Sequence, residues 1–291
     1  MKWTVRKKMS DRGQRQYLEH IRKATPFSSE DLCGYKLKIP LERALESALL
    51  GSGKRPADFR ILDVGCGRGV AVAHLLQRGF DAYGGEESGE QVELARKGLA
   101  ELGEVPDRIA QLDMQDGSYP LPSGSFDFIF SDNVIEHVED LNAFVNEVAR
   151  LAVCNGAGFH IFPSKWKPTE VHLGIPFVHW LPKTRVRYYL IRFAMVVGFD
   201  PDWVRNKGKK QHEAAEDYYR YIQSSTYYRS PWEIVKAFDD MGFAVDTHMT
   251  GETIMGKLMV SKDGSARWLI LLASKLSGLF HTTILTMRHP C

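Results

Sequence analysis

The residues best able to do chemistry cluster around one short apolar run. Asp63 closes the run Arg60-Ile-Leu-Asp-Val64, and glycines follow at alternate positions, Gly65, Gly67 and Gly69, with Cys66 and Arg68 between them. An acid followed by alternate glycines suits a strand that turns sharply and lets a ligand approach its backbone before a helix begins. Glu86 ends a second apolar run about twenty residues after the first glycine, where a carboxylate can accept both hydroxyls of a ribose. Dinucleotide folds use the same device, but their fingerprint puts a third glycine three residues after the second, and position 70 is Val.

The elements that must position these residues follow from periodicity. Val70 to Arg78 carries apolar residues at helical spacing, Gly79-Phe80 stops it, and Phe80 to Gly85 reads as the next strand. Residues 36 to 50 read as a helix packed ahead of the first strand. At 291 residues the chain can bury a substantial core as one elaborated domain or as one domain with inserts. Its net charge of +2 decides nothing about nucleic acid. The cysteines, at 33, 66, 154 and 291, have no paired or metal-type spacing, which makes a reducing, cytoplasmic setting the default. The first twenty-five residues hold eight Lys and Arg against Asp11 and Glu19. They read as a solvated helical arm, with an anionic partner or membrane surface as the alternative, and no apolar core of a secretory signal follows them.

Further ordered blocks continue the pattern. Gly84-Gly-Glu-Glu-Ser88 is followed by Val92-Glu-Leu-Ala-Arg96, and Tyr119-Pro-Leu-Pro-Ser-Gly-Ser-Phe-Asp127 leads into Phe128-Ile-Phe-Ser-Asp-Asn-Val-Ile-Glu-His-Val138. Glu147-Val-Ala-Arg-Leu151 and Asn155-Gly-Ala-Gly-Phe-His-Ile-Phe-Pro163 complete the series. Across roughly residues 60 to 163 the chain resembles the class I S-adenosylmethionine-dependent methyltransferases. That resemblance implies an α/β, doubly wound Rossmann-like sheet of seven strands with the last antiparallel, carrying helical cap insertions. It divides the chain into an N-terminal helical segment, 1–55, and a methyltransferase domain, 56–291.

Two insertions are expected in that domain. The first, about 164–230, follows strand five, where the next helix is delayed until Pro231-Trp-Glu-Ile-Val. It is rich in Trp, Tyr, His, Arg and Lys and is expected to cap the acceptor, although many of its aromatics would pack its own small core. Basic-aromatic interleaving also suits RNA, but no dedicated RNA-binding motif supports nucleic acid. The second, about 252–280, contains an apolar helix, 266–280, too short and too polar to span a membrane. It either packs on the core or rests on a membrane that carries the substrate. The resemblance makes Thr282 to Pro290 the last strand.

The implied cofactor is S-adenosyl-L-methionine. Backbone amides of the Gly65-Cys66-Gly67 turn and of the helix start at Gly69 are expected to receive its carboxylate, Asp63 its amino group, and Glu86 its ribose. Asp113 and Met114 are expected at the adenine, and Asp132 and Asn133 along the methionine part. An unactivated hydroxyl acceptor needs a base, and an imidazole is the usual choice. His137, on the loop after strand four, is the leading candidate, with His172 and His179 as alternatives. Asn133-Val-Ile-Glu-His137 is similar to the Glu-x-x-Glu-His metal motif of ubiquinone-pathway and small-RNA methyltransferases. Asn133 replaces the first anionic ligand and His172 would be a fourth, so no metal is expected. The expected activity is O-methyl transfer to a hydroxyl of a glycan, glycolipid or related natural product, with peripheral membrane contact. The alternatives are a metal-dependent quinone-type or RNA 2'-hydroxyl enzyme, and a catalytically silent cofactor-binding protein.

Overall fold

A computed structural model of the chain describes residues 25–112, 118–199, 201, 206–249 and 282–289. Seven strands form one sheet: β1 (Arg60–Val64), β2 (Asp81–Glu86), β3 (Ile109–Gln111), β4 (Phe126–Asp132), β5 (Ala152–Pro163), β6 (Ala244–Met249) and β7 (Thr282–Arg288). Their spatial order is β3-β2-β1-β4-β5-β7-β6; the first five run parallel, and β7 lies antiparallel to both β5 and β6. The chain thus winds outward from β1 in one direction and from β4 in the other. In such Rossmann-like α/β sheets the crevice at that reversal, beyond the carboxyl ends of the strands, is where ligands bind.

The central strands β1 and β4 are buried on both faces, as a parallel sheet covered by helices requires. Alternation along β1 assigns its residues: Ile61 joins a cluster with Phe59, Val72, Leu75 and Phe128, while Leu62 and Val64 join Phe126, Phe144 and Phe238 on the other side. Asp63 therefore shares a face with Ile61. That face is covered by α1 (Ser29–Cys33), α2 (Ile39–Ser52), α3 (Val70–Gln77) and α4 (Gly89–Glu101). The opposite face carries α5 (Leu141–Leu151) and α8 (Pro231–Asp240), the latter started by a Ser230–Glu233 capping box.

Residues 26–55 do not stand apart from the sheet, so the division expected at residue 55 is not one in packing. Phe27, Leu32, Leu37, Leu41 and Leu45 are buried in the same cluster as β1 and α3. Phe27 lies against Gly98 of α4, where an added Cβ would come within 2.4 Å of its ring.

Residues 168–225 form a separate compact unit with their own core, built on α6 (Arg185–Val196) and α7 (Gln211–Ser224). Leu173, Ile175, Val178, Ile191, Ala215, Tyr218 and Ile222 fill it. Buried Arg187 ties the unit together by donating to the carbonyls of Leu181, His179 and Ile222. The expected arm before residue 25 and the insertion at 252–280 lie outside the described residues. Cys33 and Cys66 are free thiols, but Cys154 is disulfide-bonded, against the expectation of unpaired cysteines. Spacing along the chain carries no record of a long-range pairing. Among the described residues no helix is long and apolar enough to cross a membrane.

Candidate active site

The turn after β1 is fixed by backbone contacts. The N–H groups of Gly65 and Cys66 both donate to the carbonyl of Gly85, at 2.7 and 3.0 Å, and Gly69 N–H closes onto the Cys66 carbonyl at 2.9 Å before α3 begins. Gly65 has φ +75°, and an added Cβ would lie 2.3 Å from Val134 Cγ2, so this backbone touches the loop after β4. Gly67, at φ +53°, differs: a Cβ there would meet nothing within 4 Å. The first glycine is demanded by the protein's own packing, whereas the second leaves a cradle that a side chain would fill.

Glu86 is held over this cradle. One carboxylate oxygen accepts from Gly67 N–H and the other from Ser88 N–H, both at 2.9 Å. A carboxylate offers about four acceptor positions, so these bonds fix its plane while leaving each oxygen able to accept another.

Asp63 is 5 % exposed. Burial pushes its pKa well above the usual carboxylate range, and the negative charges of Asp132 and Glu86 push it further. Burial first, then Asp63 and Asp132, likewise raise the Tyr35 hydroxyl, and the Cys66 thiol is raised by burial, then by Asp63 and Glu86. The carboxyl ends of β1, β2 and β4 therefore gather three acids in mutual electrostatic reach, an arrangement that favours a cationic occupant. Asp132 already has one cation, the Lys38 ammonium at 2.6 Å, and accepts from the Asn133 side-chain amide at 2.9 Å. Asn133 is held at φ +57° with its N–H on the Ile161 carbonyl at 2.8 Å.

Beyond β4, a 3-10 turn (Ile135–His137) presents Glu136 buried and His137 exposed. Ligating atoms of the two side chains lie within 4.8 Å of each other. Arg229 braces the turn from outside, donating to the carbonyls of Val138 at 2.7 Å, Glu139 at 2.6 Å and Ile135 at 3.3 Å. The Tyr227 N–H adds a bond to the Glu136 carbonyl at 2.6 Å.

The structure thus brings Asp63, the Gly65 to Gly69 turn, Glu86, Asp132 and Asn133 to one end of the sheet, with His137 on the loop leading away from it. Asp113 and Met114 lie outside the described residues. His172 and His179 belong to the 168–225 unit. His179 is buried there, edge-on to Trp180, which does not suit a base that must meet an acceptor. His172 is partly exposed and its Nδ1 lies 2.7 Å from buried Glu170, which orients the ring. Three contributors went unread in the sequence: Tyr35, Lys38 and Arg229.

Residues 62–159 match a methyltransferase-domain family. Ajmaline N-methyltransferase of Rauvolfia serpentina is 35 % identical over 101 residues, covering 34 % of this chain and 33 % of that protein. A probable chloroplastic tocopherol O-methyltransferase of Oryza sativa subsp. japonica is 28 % identical over 169 residues, 56 % of this chain and 43 % of that one. The chain thus spans less than half the length of either. In fold it is similar to phosphoethanolamine N-methyltransferase 2 of Haemonchus contortus bound to S-adenosyl-L-methionine, with a TM-score of 0.50 at 14 % identity, over 86 % of this chain and 53 % of that one.

Residues 62–159 thus carry a methyltransferase domain, on the fold shared by the class I S-adenosylmethionine-dependent methyltransferases. The cofactor of this methyltransferase family carries an ammonium, a sulfonium and a ribose but no phosphate, and the residues at the sheet end fit that group. The acid cluster suits its two positive centres, Glu86 has acceptor capacity for a diol, and the space at Gly67 admits a ligand against the backbone.

Proposed function

We propose that the protein is an S-adenosyl-L-methionine-dependent O-methyltransferase that methylates a hydroxyl of a glycan, a glycolipid or a related natural product. The cofactor, when bound, supplies an electrophilic methyl group. The chain's task is to align the acceptor with it and to remove the acceptor's proton. In this reading Asp63 holds the cofactor's amino group and Glu86 its ribose, while Asp132 and Asn133 line the methionine part; the amides of Gly65, Cys66, Gly67 and Gly69 already donate within the protein, against the expectation that they receive the carboxylate. His137 takes the proton as the new C–O bond forms.

The observation that carries the reading is His137 itself: an exposed imidazole on a turn clamped by Arg229, directly after the strand that ends in Asp132. The name of the rice relative, an O-methyltransferase, is in keeping with a hydroxyl acceptor. The aromatic and basic residues of the 168–225 unit suit sugar rings and bulky amphiphilic acceptors.

The test is mass spectrometry of hydroxyl-bearing extracts incubated with the protein and isotopically labelled cofactor. Label is expected in an O-methyl group of a glycan, glycolipid or related fraction and to vanish with His137→Ala. Cofactor binding without label in any fraction would instead favour a silent cofactor-binding protein, and label on nitrogen would remove the O-transfer reading.

A second reading rests on the proximity of the Glu136 and His137 ligating atoms, which lets them share a divalent cation that chelates a pair of neighbouring hydroxyls. Loss of activity with a chelator, restored by magnesium, would select it. With Asn133 in place of an acid, chelator resistance is the expected result.

A further inference from the structure

Helix α6 is apolar on two opposite sides. Ile191, Ala194 and Met195 face inward and help form the core of the 168–225 unit. On the other side Val186, Tyr189, Phe193, Val196 and Val197 stand exposed, with Tyr189 at 66 %, Phe193 at 63 % and Val196 at 69 %. At helical geometry these five positions occupy one stripe about 100° wide. A soluble helix ordinarily gives such an arc to polar residues, and a contiguous exposed apolar patch marks a surface that meets something.

The surroundings identify its chemistry. Arg185 and Arg192 project from α6 beside one edge of the stripe, and both are exposed. Across residues 168–225 the sequence holds nine Lys and Arg against six Asp and Glu; among the nine, Arg187 is buried and Arg185 pairs with Glu216 at 2.7 Å. The same unit also exposes an aromatic pair, Phe177 and Trp180, whose ring centroids lie 4.9 Å apart. Phe177 is held at φ +59°, a left-handed conformation that costs a non-glycine residue energy and turns a hydrophobic ring outward.

We propose that the outer face of α6, flanked by its arginines, seats this protein on an anionic lipid surface. Valines, a tyrosine and a phenylalanine enter the headgroup boundary, the guanidinium groups stay at phosphate level, and the aromatic pair offers amphipathic anchoring of the kind found at such interfaces. The proposal goes beyond the methyl-transfer reading and does not depend on it.

Co-sedimentation of the full chain with vesicles tests this without any assay of activity. Binding is expected to vesicles of phosphatidylcholine with about 30 mol% phosphatidylserine, to be weak on phosphatidylcholine alone, and to fall as salt rises to about 0.5 M. Tyr189→Glu with Phe193→Glu should reduce binding at least tenfold. Arg185→Gln with Arg192→Gln should reduce it several-fold and flatten its salt dependence. Circular dichroism and melting temperature establish that both variants are folded, which surface substitutions should leave intact. Three outcomes would overturn the proposal: wild-type protein left in the supernatant with both vesicle types, glutamate variants that bind as well as wild type, or a wild-type dimer that these substitutions convert to monomers, which would assign the face to a second copy of the chain.

Discussion

The loops that follow β1 and β4 meet at Gly65 and Val134, yet they are held in opposite ways. The first is locked by backbone: two N–H groups share one carbonyl of β2, a third closes the turn, and left-handed glycines admit few alternatives. The second is locked by a side chain from almost a hundred residues away, Arg229, gripping three carbonyls of a turn that would otherwise be an ordinary loop. A backbone-locked loop suits a ligand that does not vary, and a loop braced by one distant side chain can be re-aimed by few substitutions. On the proposed function, cofactor and acceptor recognition divide along that line.

The largest effect should come from the braced loop. His137→Ala is expected to lower kcat by about two to four orders of magnitude while leaving S-adenosylhomocysteine binding, read by calorimetry, unchanged. Full activity in this variant would move the base to His172.

Next come the two glycines, which separate packing from ligand. Gly65→Ala places a Cβ against Val134 at a positive φ and should cost about 2–5 kcal/mol in chemical denaturation, from strain plus overpacking. Gly67→Ala meets no neighbour and should cost only about 1–2 kcal/mol, the left-handed penalty, while cofactor affinity falls far more. Equal stability losses would show that the cradle at Gly67 is a packing feature.

Arg229→Ala should lower kcat roughly 10- to 100-fold by loosening the turn, with cofactor affinity intact. A change in cofactor affinity instead would mean that the two loops are not independently held. Glu86→Ala removes an acceptor of charge-assisted bonds and should weaken cofactor binding about tenfold. An unchanged Kd would transfer the ribose role to Glu87.

The smallest effect is on pH dependence. Asp63 has a folded pKa raised above its unfolded value of about 3.9, so its stabilising contribution is complete below that value and is lost as pH rises toward the folded pKa. The ligand-free protein should therefore lose melting temperature as pH climbs from about 4, and Asp63→Asn should flatten the slope. Parallel pH profiles for the two proteins would discount Asp63 as a buried acid.

The same contrast explains what could be read in advance. The β1 turn was legible because its constraints act on each residue's own backbone, and glycine meets the left-handed conformations of Gly65 and Gly67 at least cost. Apolar periodicity likewise announced α3 and α8, and Glu86 was found by its distance from the glycines. Tyr35 and Lys38 were missed because the acids they face are distant in sequence, Asp63 and Asp132 for Tyr35 and Asp132 for Lys38, and a polar residue's remote partner leaves no local pattern. Arg229 was assigned to the cap, since nothing in Tyr227-Tyr-Arg229 reports that its target is a set of carbonyls. Residues 26–55 looked separable for a related reason: the helix was visible, but the burial of Phe27 against Gly98 is a matter of shape.

The placement of β7 between β5 and β6 has a consequence for synthesis. During translation β6 is made before β7 and has no neighbour in the finished sheet except β7. Until residues 282–288 emerge, β5 carries an open edge along most of its twelve residues. An unpaired edge of that length invites pairing with other nascent chains. The arrival of residues 282–288 therefore controls whether the sheet closes on itself or on a neighbour.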